Sequence, residues 1–328
     1  MDMIHFASAE QERRVTDKLK RELGERILAL LDRIDVTEVA VNGDGVVWVT
    51  AFGGDPAGDP TDIVMPFEDR VAFLGTIASM SNKTLHKSEP KIEGQLPWDG
   101  SRVTGVIPPQ AVEGPLFNIR KKPVKIYSLD EYIDAGRMTT EDKKIICDSI
   151  KNRLNIIIAG PTGSGKTTFA NAVLRELHVM SPTERIITME DTPELQISHR
   201  NRVRMVTPDA QITLKDLIKT AMRQSPSRII IGEVRDGVAL DLLKSWNTGH
   251  PGGVTTLHAN SSLDSLLRLE MLIAERTDTP MQRLIAQSVS LILYVEWVAE
   301  TGPTLTEILE VVNFDRQKEE YEVRWIKG

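Results

Sequence analysis

Between residues 11 and 33, apolar side chains recur every three or four positions. Val15, Leu19, Leu23, Ile27, Leu30 and Leu31 fall on one face, which predicts an amphipathic helix. The period then shortens to two. Val39, Val41, Val47 and Val49 alternate around Asn42-Gly43-Asp44-Gly45, a hairpin pattern whose Asn-Gly and Asp-Gly steps suit positive φ. The stretch "GGDPAGDP" over 53–60 reads as a loop, and "EDRVAFLGTIASMSN" over 68–82 as a second helix. "SRVTGVIPP" and "LFNIRKK" read as strands flanking a turn. Together these predict a smaller α+β N-terminal domain over 1–125. The segment after it, "KKPVKIYSLDEYIDAGRMT", has charge, a proline and no clear period, so a linker is expected over 126–137.

From residue 138 to 328 the pattern is of another kind. Short continuous apolar runs alternate with helical ones. "LNIIIAG", "RIITMED", "SRIIIGEV" and "GGVTTLHAN" read as buried strands. "TTEDKKIICDSIKN", "TTFANAVLRELHVM", "LKDLIKTAMRQ" and "DGVALDLLKSWNTG" read as helices between them. Such alternation predicts an α/β domain with a mostly parallel sheet and helices on both faces.

Composition narrows the classes. The chain has 328 residues, 41% apolar and 27% charged, ordinary for a globular protein of about two domains. Its net charge of -7 argues against coating nucleic acid through bulk charge. One cysteine, Cys147, excludes an intrachain disulfide or a multi-cysteine zinc site and fits a reducing cytoplasm. The longest apolar runs, "LNIIIAG" and "VSLILYVEWVA", fall short of the ~20 residues that span a bilayer. The reading is a soluble protein whose membrane contact, if any, is peripheral.

The chemistry concentrates at strand ends. "GPTGSGKTT" fits G-x-x-x-x-G-K-[ST], with Gly160, Pro161, Thr162, Gly163, Ser164, Gly165, Lys166, Thr167 and Thr168 between a buried strand and a helix. The glycines let successive N–H groups face inward as an anion nest. Lys166 reaches the β- and γ-phosphates, Thr167 offers Mg²⁺ a hydroxyl, and Thr168 caps the helix or touches the α-phosphate. Glu190 and Asp191 end the next strand, where a carboxylate polarises water or holds Mg²⁺, or simply caps the turn before Pro193. Glu233 ends a third strand, as a holder of the metal's water shell, and Arg235 beside it is a phosphate contact or a partner for Asp236. His258 ends a fourth. There it either bonds the γ-phosphate or a catalytic carboxylate, or is satisfied within the fold. His5, His86, His178 and His199 lack such company, and His250 lies in a turn.

In order and spacing, "GPTGSGKTT", "MEDTPEL", "IIIGEVRDGVALDLLKSWNTGHPGG" and "TTLHANS" resemble the Walker A, Asp, Walker B and His boxes of the secretion-ATPase superfamily. "TEVAVNGDGVVWV" and "LLKSWNTGHPGG" are most similar to its conjugal-transfer, TrbB-like branch. The family commonly carries Pro-Asp before the Walker B strand, whereas this chain has Pro226-Ser227. The resemblance implies a RecA-like P-loop domain that hydrolyses ATP with Mg²⁺. It implies catalytic roles for Lys166, Glu190, Glu233, His258 and Arg235, with Thr167 and Glu233 at the metal. It also places Arg102 and Arg120 where the family has phosphate-contacting arginines. It further implies a homo-hexameric ring in the cytoplasm, peripheral at the inner membrane, working on membrane components of a conjugation channel and not on nucleic acid directly. Three other readings are weighed: a pilus or tight-adherence motor, a low-turnover nucleotide switch, and a nucleic-acid motor that the acidic charge disfavours.

Overall fold

The computed structural model describes residues 8–51, 55, 57–80, 84–122, 125–207 and 212–328. The chain divides into two compact units, residues 1–124 and 125–328.

In the first unit the helical stripe forms α1 (Ala9–Asp32), capped by the Ser8 hydroxyl and interrupted at Gly24, whose φ is 76°. Its Leu19, Leu23, Ile27 and Leu31 are buried. The Val alternation forms β1 (Val36–Val41) and β2 (Val46–Ala51), with Val41 opposite Val47 across the Asn42–Gly45 turn. β3 (Asp59–Val64), α2 (Phe67–Met80), β4 (Lys91–Gln95), β5 (Arg102–Val106) and β6 (Leu116–Arg120) complete a six-stranded antiparallel sheet in the order β3-β2-β1-β6-β5-β4. Its buried face packs against α1 and α2. β3 enters the loop expected over 53–60, of which residues 53, 54 and 56 lie outside the described residues.

The expected linker over 126–137 is corrected. Ser128 and Glu131 form a reciprocal capping box that starts α3 (Leu129–Asp134). Leu129 and Tyr132 are fully buried, and the Tyr132 ring meets Phe169 edge-on at 5.1 Å. A segment with two such anchors belongs to the core of the second unit.

That unit holds α4 (Thr140–Lys151), β7 (Ile156–Gly160), α5 (Lys166–Met180), β8 (Ile186–Glu190), β9 (Arg202–Val206), α6 (Leu214–Met222) and β10 (Arg228–Val234). α7 (Val238–Asn247), β11 (Val254–His258), α8 (Asp264–Ala274), α9 (Gln282–Ser288) and β12 (Leu291–Val298) follow. β13 (Gly302–Asp315) and β14 (Glu320–Lys327) end it. The strand order is β14-β13-β12-β7-β11-β10-β8-β9. From β12 to β9 every pairing is parallel, and β13 and β14 add an antiparallel edge. Both faces of β7 are covered. Ile156 and Ile158 join a cluster with α3, α4 and α5, while Ile157 and Ala159 join one with α6 to α9. Burial on both sides explains why these strands read as unbroken apolar runs. Parallel pairing also brings the carboxyl ends of β7, β8, β10 and β11 to one edge, where open α/β sheets bind ligands. Among the described residues no helix is long and apolar enough to cross a membrane.

Candidate functional site

β7 ends at Gly160 and α5 starts at Lys166, so the loop between them is a tight strand-to-helix turn. Gly165 is the helix N-cap with φ 87°, in the left-handed region, and has no side chain to cap with. A Cβ there would stand 2.7 Å from Pro303 Cβ. The backbone amides of Thr167 and Thr168, in the first turn of α5, meet no protein acceptor among the described residues. The Ser164 hydroxyl is buried and likewise without a partner. Pro161, Thr162 and Gly163 form the exposed tip. Unfilled donors at a helix N-terminus, at a close-packed glycine, fit a phosphate group.

Lys166 is folded back over its own loop. Its Nζ donates to the Gly160 carbonyl (2.9 Å) and the Pro161 carbonyl (2.7 Å) and lies 3.1 Å from His258 Nδ1. His258 Nε2 lies 3.0 Å from Glu233 Oε1, and Arg235 Nη2 donates to Glu233 Oε2 at 2.6 Å. Because an ammonium can only donate, Nδ1 is the acceptor and the imidazole proton sits on Nε2, facing the carboxylate. Lys166, His258, Glu233 and Arg235 therefore form one continuous polar chain from the start of α5 past the ends of β11 and β10. Burial alone would raise the Glu233 carboxyl, but its contacts with His258 and Arg235 outweigh burial and hold it down at about 2. It is firmly ionised at neutral pH.

Glu190 is set differently. It is 4% exposed, and its Oε1 accepts from the amides of Glu194 (2.8 Å) and Leu195 (2.7 Å). Burial raises its pKa, and the two amides only partly oppose that. Its side chain packs so closely on Gly232 that a Cβ there would stand 2.9 Å from Glu190 Cγ. Asp191 is exposed and accepts from the Thr207 hydroxyl. His178 and His199 stand apart from this chain: His199 is fully buried beside His178, with Nε2 3.1 Å from the Ser181 carbonyl.

A cleft of about 160 Å³ opens beside the polar chain, lined by Glu233, Val234, Arg235, His258 and Arg268. Neither Arg268 nor Pro303 was legible in the sequence. Arg268 sits inside α8 without a motif, and Pro303 is far along the chain, the second residue of β13.

Arg102 and Arg120 lie in the first unit, on neighbouring strands. Register sets them directly opposite each other, β5 against β6. Arg102 Nη2 reaches Glu93 Oε2 at 3.4 Å, and its buried Nε has no partner. Like charges opposite one another destabilise a sheet unless an anion offsets them.

Residues 72–320 match the family described as type II/IV secretion system protein. Over 301 residues the chain is 38% identical to a conjugal transfer protein TrbB of Rhizobium radiobacter, covering 92% of this chain and 91% of the relative. It is 30% identical to the type IV secretion system protein VirB11 of Bartonella quintana over 250 residues, 64% of this chain and 69% of that one. The ATPase DotB of Yersinia pseudotuberculosis has a similar fold, with a TM-score of 0.63 at 17% identity, over 98% of this chain and 83% of that one.

Proposed function

The chain belongs to the type II/IV secretion system protein family, and on that membership we propose that it is an ATP-hydrolysing motor of a conjugal-transfer or type IV secretion apparatus. The observation that carries the chemistry is the polar chain from Lys166 through His258 to Glu233 and Arg235, beside an uncapped glycine loop. A triphosphate entering the loop takes the free amides of Thr167 and Thr168 and draws Lys166 off the Gly160 and Pro161 carbonyls onto its β- and γ-phosphates. Thr167 and Glu233 are the oxygen donors that would hold Mg²⁺, which supplies neutralising charge for the phosphates when bound.

Glu233 faces the cleft, ionised, and orients the attacking water. With its carboxyl near 2 it is a weak base. That suffices where the transition state is loose and needs positioning and charge more than early proton removal. Water attacks the γ-phosphorus, the bond to the β-bridging oxygen breaks, and ADP and inorganic phosphate form. Glu190, tied to the amides of Glu194 and Leu195, holds the loop after β8 in place and acts on the site through that loop.

The useful output is motion. In this reading Arg102 and Arg120 close on the phosphates when nucleotide binds and withdraw after hydrolysis. Six copies form a ring in the cytoplasm against inner-membrane channel components, with peripheral membrane contact and no direct nucleic-acid binding. Steady-state phosphate release from the purified protein tests the core of this. The wild type turns over, and Lys166→Ala is expected to lower the rate by about 10²–10³-fold. A variant with near-normal turnover ends the loop assignment.

A further inference from the structure

The cleft beside the catalytic chain has a wall that the mechanism above does not use. Arg268 projects from α8, is half-buried, and makes no hydrogen bond or ion pair among the described residues. A guanidinium that has given up part of its hydration without gaining a partner is costly unless an anion visits it. Arg235, on the same cleft, keeps one end on Glu233 and is the second cation there. The cleft's volume of about 160 Å³ leaves room for a tetrahedral oxyanion.

Its position along the polar chain gives the anion an identity. Lys166, at one end, belongs to the loop that grips the nucleotide. His258 and Glu233 come next, and they also line the cleft. A phosphate freed from ADP moves past them towards Arg235 and Arg268, pushed by the negative Glu233 and drawn by the two guanidiniums. We infer that this cleft is a holding subsite for the inorganic phosphate product, with Arg268 as its outer binding residue. The inference rests on the nucleotide reading of the loop. It adds a step to it: ADP and phosphate leave by different routes, and Arg268 controls the second.

The experiment uses the full chain loaded with Mg·ADP, so that the loop is filled, and titrates inorganic phosphate against it by ³¹P line broadening. Saturable binding is expected for the wild type. Arg268→Ala should weaken it about tenfold, the scale of one lost charge-assisted hydrogen bond. Arg268→Lys, which keeps charge but loses the planar fork, should fall between. ADP affinity should be the same in all three, showing that the fold and the loop are intact. Equal phosphate binding by wild type and Arg268→Ala, or no saturable binding by the wild type, overturns the subsite alone. Failure of ADP to bind overturns the nucleotide reading and the subsite with it.

Discussion

Glu190 and Glu233 end neighbouring parallel strands yet sit in opposite electrostatic situations. Burial raises Glu190, so its carboxyl gains a proton more easily folded than unfolded, and ionised Glu190 subtracts stability once pH passes its folded pKa. The proton on Glu233 is lost more easily folded than unfolded. Its ionised form adds stability fully present above the ordinary 4.5, which disappears as pH falls towards about 2. Two substitutions separate the pair. Glu190→Gln keeps a carbonyl for the amides of Glu194 and Leu195 and removes the charge. In urea unfolding at pH 7 it should be at least as stable as wild type, with the gain fading as pH falls to 4.5. Glu233→Gln should lose the acid-labile stability and lower hydrolysis about 10²–10³-fold. A Glu190→Gln protein that is clearly less stable at pH 7, or a Glu233→Gln protein with normal turnover, would reverse these roles. The sequence marked both carboxylates, because a polar residue closing an apolar strand stands out. It could not rank them, since the amides that occupy Glu190 come from backbone four and five residues on, which has no side-chain signature.

The turn between β7 and α5 shows how an element sets the site. Gly165 combines a left-handed φ with a Cβ position 2.7 Å from Pro303 Cβ. Gly163 has φ 76° but open space around it. Gly165→Ala therefore meets both strain and overlap, and Gly163→Ala strain alone. The first should cost about 1–3 kcal/mol of stability and weaken nucleotide binding, the second less on both counts. Chemical denaturation and nucleotide titration of the two variants check the ranking, and the reverse order would show that Pro303 yields freely. The strand, loop and helix here were plain in the sequence because burial on both faces leaves an uninterrupted apolar run and the glycines punctuate it. The packing of Pro303, at the start of β13, onto the loop was not. That contact joins residues more than a hundred positions apart, and strands β12 to β14 follow the last motif that anchored the reading. For a like reason α3 was missed: six residues are too few to show a helical period, although its capping box is visible afterwards in Ser128 and Glu131.

On the scale of the whole molecule, each unit has its own hydrophobic core, one built on the antiparallel sheet and one on the two faces of the mostly parallel sheet. Separate cores let the units respond separately to a ligand. A nucleotide bound by the second unit alone, at a hundred times its Kd, should stabilise that unit by ~2.7 kcal/mol and leave the first unchanged. Closure predicts more. If Arg102 and Arg120 reach the phosphates, their repulsion across β5 and β6 is relieved, and amides in β1, β5 and β6 gain protection from hydrogen exchange along with those of β7 and α5. In the double variant Arg102→Ala with Arg120→Ala, a non-cleavable ATP analogue should still protect β7 and α5, while the gain in the first unit disappears. Exchange measured by peptide with and without the analogue reads both outcomes at once. Protection confined to β7 and α5 in the wild type would leave the loop chemistry standing. It would remove the coupling that turns hydrolysis into movement, because a ligand shifts a conformational equilibrium only by its differential affinity for the two states.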